Sequence, residues 1–410
     1  MNEKITAVFG VHEAHTLKQL DDVAQRAEKV ALMADGHLGY VMPIGGVAAY
    51  RNMASVVGVG FDIACGNAAI LTDLKAERFD RRTLQEMATE IMQSVEFGIG
   101  RRNQDNDAPI NDPLFEDAAW QAIPAAKGER VALHAKARNQ LGTVGSGNHY
   151  VDVFADELGR IWVGVHFGSR GFGHTVASGF LALSQGKDWG ERVKEVEVLL
   201  DLATPLGDAY WELMNLAGRY AYAGREWVVR KVVKLLGGVE LDLVHNHHNF
   251  AWKETHFGEE FVVVRKGATP AFPGQRGFVG GSMGDQSVIL EGARGKFRDK
   301  AQESALYSTV HGAGRVMGRQ DAFKGKATRD ETGKVVSRDT STIVTREMQN
   351  EWLAGLGVIL RGGGVDESPH VYRRLPDVLA AQGDTVTVLH TLDPLIVVMA
   401  GADVRDPYKD

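Results

Sequence analysis

Apolar residues recur at helical spacing over residues 16–31, with charges on one side and Leu, Val and Ala on the other, which predicts an amphipathic helix. Over residues 33–71 the texture changes to short apolar runs broken by Gly, Asp and Asn, the pattern of strands joined by tight turns. Residues 78–97 again read as an amphipathic helix, and residues 98–113, rich in Asn, Asp, Arg and Pro, as a surface loop. Strands and glycine turns return over 142–173. The longest helical block covers about 179–236, interrupted near Pro205, with Trp, Tyr, Leu and Val at helical spacing. Residues 237–290 are strand-rich, and 319–344 form a charged, looped insertion. No internal repeat and no change of composition marks a linker. The pattern predicts one α+β domain over residues 1–410, carrying a helical insertion at about 179–236.

Composition adds limits. A chain of 410 residues can bury a large core, and its 44% hydrophobic and 24% charged content is that of an ordinary folded protein. A net charge of −7 argues against a generic nucleic-acid coat while leaving room for a local basic channel. The first residues lack the basic start and apolar run of a signal peptide, and no stretch approaches the roughly 20 apolar residues of a membrane span. A cytoplasmic protein without membrane attachment is expected. The single cysteine, Cys65, can form no intramolecular disulfide. Alone it would more often be a buried filler than a reactive group.

Its neighbours change that reading. GVGFDIACG, residues 58–66, places Asp62 three positions before Cys65 in one glycine-flanked turn. LGTVGSGNHYVD carries Asn148 and His149, VHFGSRGFG carries His166 and Arg170, and HNHHN ends on His248 and Asn249. Thiolate, imidazole and carboxylate together suit a borderline divalent metal, and a thiolate sulfur has lone pairs enough to bridge two ions. Each feature has a bland counterpart. A histidine beside glycine is commonly a turn residue or a satisfied core group, Asp62 alone a turn former, and His245 and His247 exposed neighbours of His248. Yet His149, His166, His248 and His311 all stand in Gly/Asn/Ser-rich settings, and metal binding accounts for them together. GGSMG (280–284) and HGAGR (311–315) offer unhindered backbone N–H groups for a phosphate, and Arg170, Arg315 and Arg319 supply forked donors.

In this order, GVGFDIACG, LGTVGSGNHY, HFGSRG, HHN followed by RKGA, GSMG and HGAGR resemble the RtcB family, the GTP-dependent RNA ligases of tRNA splicing and RNA repair. The matching stretches run from Asp35 to about Gly314. The resemblance implies mixed sheets around a central metal cleft holding two manganese ions, with Cys65 bridging and Asp62, His149, His166 and His248 as further ligands. It implies that His311 takes GMP from GTP, and that Asn148, Asn249, Ser282, Gly312, Ala313 and Gly314 hold the nucleotide's phosphates and sugar. Tyr150 and Tyr372 match aromatics around the guanine, and Asp152 stands where a guanine-reading glutamate is usual. The implied partners are RNA ends, a 3′-phosphate or 2′,3′-cyclic phosphate and a 5′-hydroxyl, together with an archease-type activator. Arg101, Arg102, Arg170 and Arg319 are candidates for RNA phosphates, although each singly reads more often as solvated surface charge.

The chain also departs from the family pattern. Met399-Ala400-Gly401, followed by a tail to Asp410, replaces a V-K-G-like ending whose lysine contacts the guanylate, and Ala34-Asp35-Gly36-His37 replaces P-D-V-H. A divergent paralogue is therefore expected. Two other functions stand beside RNA ligation. A metal-dependent phosphoesterase that opens cyclic phosphates without joining ends is motivated by the missing lysine. A non-catalytic RNA-binding paralogue is disfavoured by the intact ligand set.

Overall fold

The strand-rich stretches assemble into two principal sheets. In the central one, seven strands follow the order Arg276–Val279, Ser287–Gly292, Val386–Met399, Tyr150–Asp156, Arg160–Phe167, Gly66–Lys75 and Glu240–His247. An eighth, Ile359–Arg361, joins Val386–Met399 in parallel while its other neighbours are antiparallel. The second sheet has five strands in the order Ile5–Val8, Lys29–His37, Ile44–Tyr50, Glu259–Lys266 and Asn249–His256. It too is mixed, parallel only between Ile5–Val8 and Lys29–His37. This computed structural model describes residues 2–295, 299–329, 334–402 and 404. The two ends of the expected 1–410 domain and nearly all of the tail after Gly401 lie outside the described residues.

The chain crosses from the central sheet to the five-stranded one at His248, the single residue between Glu240–His247 and Asn249–His256. Beneath both sheets runs the long helix Pro205–Leu235, started by proline in its first turn and by Thr204, whose hydroxyl accepts the Gly207 N–H at 3.2 Å. Tyr210, Leu213, Met214, Tyr220 and Ala221 pack into one core with Ala48, Tyr50, Val262 and Val264 of the five-stranded sheet. Val228, Val229, Val232 and Val233 pack into a second core with Ile70, Val163 and Val165 of the central sheet. Strands covered this way tolerate the unbroken apolar runs seen in the sequence.

Several elements differ from expectation. The first helix is Ala14–Ala24, not 16–31, because the apolar run from Val30 onward enters the buried strand Lys29–His37. Over 179–236 two helices, Arg170–Ser184 and Pro205–Leu235, are separated by twenty residues that hold only the short strand Leu199–Asp201. The charged stretch 319–344 contains a helix, Arg319–Lys324, and a hairpin of Lys326–Arg329 with Val335–Asp339, whose exposed faces carry the charges. Residues 330–333 of that stretch lie outside the described residues. Arg81–Ser94 forms as the pattern predicts, capped by Asp80.

A buried ion pair ties the five-stranded sheet to the segment leading to His311. Arg265, fully buried, donates to both Glu254 oxygens at 2.7 and 3.0 Å, to Ser308 Oγ at 2.7 Å and to the Leu306 carbonyl at 2.9 Å. Glu254→Ala strands that guanidinium in the interior. It is expected to lower the unfolding free energy by about 3–5 kcal/mol, read from urea midpoints. A loss under about 1 kcal/mol, the value of an exposed pair, would refute this.

Candidate metal centre

Strand register gathers the sequence motifs at one end of the central sheet. Gly66 pairs with both Phe167 and His247, and Tyr150 pairs with His166. Cys65, His149 and His248 each adjoin one of these strand ends, while His166 is the penultimate residue of its strand. Adjacent strands lie about 4.8 Å apart, so four side chains from four strand ends meet. The Cys65 N–H closes a turn onto the Asp62 carbonyl at 3.0 Å, with Ala64 left-handed at φ 60°, which turns thiol and carboxylate to the same side.

Two trios of ligand atoms result, Cys65–His166–His248 and Asp62–Cys65–His149, each with its atoms within 4.8 Å of one another. Cys65 Sγ belongs to both. It lies 3.2 Å from His166 Nε2 and 3.7 Å from His149 Nε2. His166 Nε2 is 3.3 Å from His248 Nε2, and His149 Nε2 is 3.1 Å from Asp62 Oδ2.

The donor set fits a cation. His166 Nδ1 donates to the Asn148 carbonyl at 3.0 Å, so its Nε2 carries a lone pair aimed at the sulfur and the His248 ring. His149 Nδ1 likewise faces the Val144 carbonyl at 2.9 Å. Burial, reinforced by His149, lowers His166 to about 3, and burial with His311 holds His248 well below the ordinary imidazole range. Both rings are therefore neutral near pH 7, the form that binds metal. Burial alone would raise Asp62, but the His149 hydrogen bond and the nearby Arg170 outweigh it and hold the carboxyl at about 2. Burial and the Asp62 charge push the Cys65 thiol well up. His248 Nδ1 is buried with no hydrogen-bond partner. This acceptor-rich, proton-poor pocket suits a divalent ion with N, O and S ligands.

A pH dependence follows. His166 and His248 have no proton to lose above pH 6, whereas Cys65 must give one up to ligate as thiolate. Metal affinity is expected to rise about tenfold per pH unit between roughly 6 and 8, with about one proton released. Co²⁺ titrations across that range check this. A flat profile would remove Cys65 thiolate from the ligand set.

His311 stands at the edge of the cluster, its ring centroid 5.0 Å from that of His248. Its Nδ1 is 2.6 Å from Asp35 Oδ2, and the same oxygen accepts the backbone N–H of His311 at 2.9 Å and of Gly312 at 3.3 Å. Asp35 is fully buried. Burial would raise its pKa, yet the His311 interactions hold it below the ordinary carboxylate range. Gly314, at φ 72°, packs on Asp35: a Cβ there would lie 2.4 Å from the Asp35 carbonyl oxygen. Arg373 clamps the same loop by donating to the Ala34 and Gly36 carbonyls, each at 3.1 Å. The sequence marks Asp35 only as part of the Ala34-Asp35-Gly36-His37 segment, without a role, and does not mark Arg373, because each works through a contact made only in the fold.

The remaining expected residues are placed unevenly. The Tyr150 ring is 5.4 Å from His166, with its hydroxyl buried and unpartnered. Asp152, two residues on along the same strand face, is buried, and burial pushes its carboxyl well above the ordinary range. Asn148 is exposed, and its carbonyl accepts from His166 Nδ1. Asn249 Oδ1 accepts the Gly267 N–H at 2.7 Å, beside His311. Ser282 is half-buried in a turn closed by the Asp285 N–H, and Ala313 is buried next to Gly312. Tyr372 hydrogen-bonds Glu367 and receives Arg315 Nη1 at 2.9 Å.

Among the arginines, Arg170 has φ 56° and lies over Gly145, where a Cβ would come within 2.2 Å of its Nη1. It donates to Thr143 Oγ1 at 3.3 Å and approaches His149. Gly98 N–H donates to the Gly145 carbonyl at 2.6 Å, which brings the loop carrying exposed Arg101 and Arg102 to the same rim. Arg319 is engaged by Asp366 and Glu367, both buried, so its charge is already countered. His245 and His247, whose bland reading is that of exposed neighbours of His248, are only 10% exposed at the side chain and 4% exposed as a residue, respectively. They face the long helix and accept hydrogen bonds from Arg225. Among the described residues no helix is long and apolar enough to cross a membrane.

A family model described as tRNA-splicing ligase RtcB matches residues 16–400. The RNA-splicing ligase RtcB of Escherichia coli K12 is 31% identical over 416 residues, covering 94% of both chains. The tRNA-splicing ligase RtcB of Thermococcus kodakarensis is 31% identical over 374 residues, 73% of this chain and 76% of its own. That of Archaeoglobus fulgidus is 30% identical over 418 residues, covering 85% and 82%.

Proposed function

The chain belongs to the RtcB family, and from that premise we propose that it joins an RNA 3′-phosphate or 2′,3′-cyclic phosphate end to a 5′-hydroxyl end, using GTP and two manganese ions. What supports this reading is one sulfur, Cys65 Sγ, shared by two ligand trios with His311 beside them. Asp62 and His149 would hold one ion with Cys65, and His166 and His248 the other. Bound there, the ions polarise the reacting phosphates and offset the charge that develops on them.

His311 is the nucleophile. Asp35 faces Nδ1 and orients the ring, leaving Nε2 to attack the α-phosphorus of GTP. An N–P bond forms, the bridging P–O bond to the β-phosphate breaks, and pyrophosphate leaves. Where the RNA ends in a 2′,3′-cyclic phosphate, water first adds to phosphorus and the bond to the 2′-oxygen breaks, leaving a 2′-hydroxyl and a 3′-phosphate. An oxygen of the RNA 3′-phosphate then attacks the phosphorus of the bound GMP, and the N–P bond to His311 breaks. Finally the 5′-hydroxyl oxygen attacks that activated phosphate, gives up its proton and displaces GMP. Asn148, Asn249, Ser282 and the Gly312–Gly314 turn line the nucleotide's place, Tyr150, Asp152 and Tyr372 the guanine's, and Arg101, Arg102 and Arg170 the RNA's. Asp152, kept protonated by burial, would offer guanine a donor as well as an acceptor.

The test is ligation of two labelled oligonucleotides, one ending in a 3′-phosphate and one starting with a 5′-hydroxyl, with Mn²⁺ and with or without GTP. Joined product that requires GTP is the expected result. Opening of a 2′,3′-cyclic phosphate without GTP and without joining would favour the phosphoesterase reading, which Met399 and Ala400 in place of a lysine motivate.

A further inference from the structure

The long helix Pro205–Leu235 sends one charged side chain into the interior behind the metal cluster. Arg225 is fully buried, and among the described residues no carboxylate lies within ion-pair distance of it. Its guanidinium donates four times: Nη1 to the Ala64 carbonyl at 2.9 Å and the Phe167 carbonyl at 2.5 Å, Nε to His245 Nε2 at 2.9 Å, and Nη2 to His247 Nδ1 at 2.8 Å. An uncompensated buried cation is costly, so its partners define why it is there.

The two carbonyls belong to the residue before Cys65 and the residue after His166. Arg225 thus ties together two backbones, from different strands, that carry ligands of the same trio. Ala64 holds a left-handed conformation uncommon for a non-glycine residue; its N–H donates to the Asn249 carbonyl at 2.7 Å, and Arg225 holds its carbonyl from the other side. His245 and His247 share one strand face, two residues apart, and turn toward the helix. Tyr222 stacks on the His247 ring at 3.9 Å and 24°. The far nitrogen of His245, Nδ1, is 3.6 Å from Glu226 Oε1, so the acid that balances Arg225 stands one imidazole away.

We propose that Arg225, held by His245 and His247, is a positioning residue that pre-sets Cys65 and His166 for metal. In HNHHN, then, His248 faces the metal pocket while its two neighbours orient the cation that shapes that pocket. Lysine could satisfy one carbonyl and methionine neither, because only the planar fork reaches four acceptors at once. The inference rests on the reading of the cluster as a metal centre, and the experiment separates the two.

Co²⁺ is titrated into the metal-free full chain and followed by its thiolate-to-cobalt charge-transfer absorption. Arg225→Met is expected to weaken Co²⁺ binding about 10- to 100-fold and diminish that band, while Arg225→Lys recovers part of both. Binding by Arg225→Met with the affinity and spectrum of the unsubstituted chain overturns the inference alone, as does an Arg225→Lys chain no better than Arg225→Met. Absence of Co²⁺ binding by the unsubstituted chain overturns the metal reading and this inference with it. Should Arg225→Met not fold, His247→Leu, which deletes an acceptor, is compared with His247→Asn, which keeps one. Weaker binding by the leucine variant alone supports the proposal, and equal affinities overturn it.

Discussion

His311→Ala is expected to abolish covalent capture of GMP: chain incubated with Mn²⁺ and α-labelled GTP should carry label through denaturation, and the variant should carry none. The expected loss in ligation is very large, on the order of 10⁶-fold, as when the nucleophile of a covalent mechanism is deleted. The ring lies at the edge of the cluster and belongs to neither ligand trio, so Co²⁺ affinity of the variant should remain close to that of the unsubstituted chain. This separation makes the test informative. Label retained by His311→Ala in a metal-loaded, folded chain places the nucleophile elsewhere, and loss of metal together with label assigns His311 to the metal.

Asp35→Asn is the second large effect, and it separates the buried charge from the nucleophile itself. Asp35 Oδ2 accepts two backbone N–H groups as well as facing Nδ1, so the substituted amide keeps its oxygen there, with size and burial unchanged, and loses the negative charge. The imidazole is then no longer balanced as it gains positive charge during attack. The rate of GMP capture in a single turnover should fall on the order of 10²- to 10⁴-fold, as when a carboxylate that orients a histidine and stabilises its cationic form becomes an amide. Metal affinity should not change, because Asp35 contacts the backbone of His311 and Gly312 and none of the ligand atoms of either trio. A capture rate within a few-fold of the unsubstituted chain would remove Asp35 from the mechanism.

Glycine-bounded segments were readable along the chain because their local demands are local: a turn needs left-handed backbone, and a ligand needs a nitrogen, oxygen or sulfur. Asp62 and Cys65 share one turn, and their meeting was visible from a spacing of three. The pairing of Asp35 with His311 was not, because 276 residues separate them. The roles of His245 and His247 were also hidden. A strand's period of two says that they share a face, and only the packed helix says that the face is covered and that Arg225 lies across it. The same limit misplaced the end of the first helix. An apolar run of about five residues suits a buried strand as well as a helix, and its parallel pairing with Ile5–Val8 decides between them.

By itself the sequence determined the residue types at the centre, the turns that present them and the family to which they belong, since each depends on neighbours within a few positions. Tertiary structure alone decided which sulfur, imidazole and carboxylate atoms converge, which histidine is aimed by a buried acid, and which arginine is spent inside the protein. Those outcomes depend on strand register and on a helix laid beneath the sheets. Register and packing are set by burial of the whole chain, which no short segment encodes.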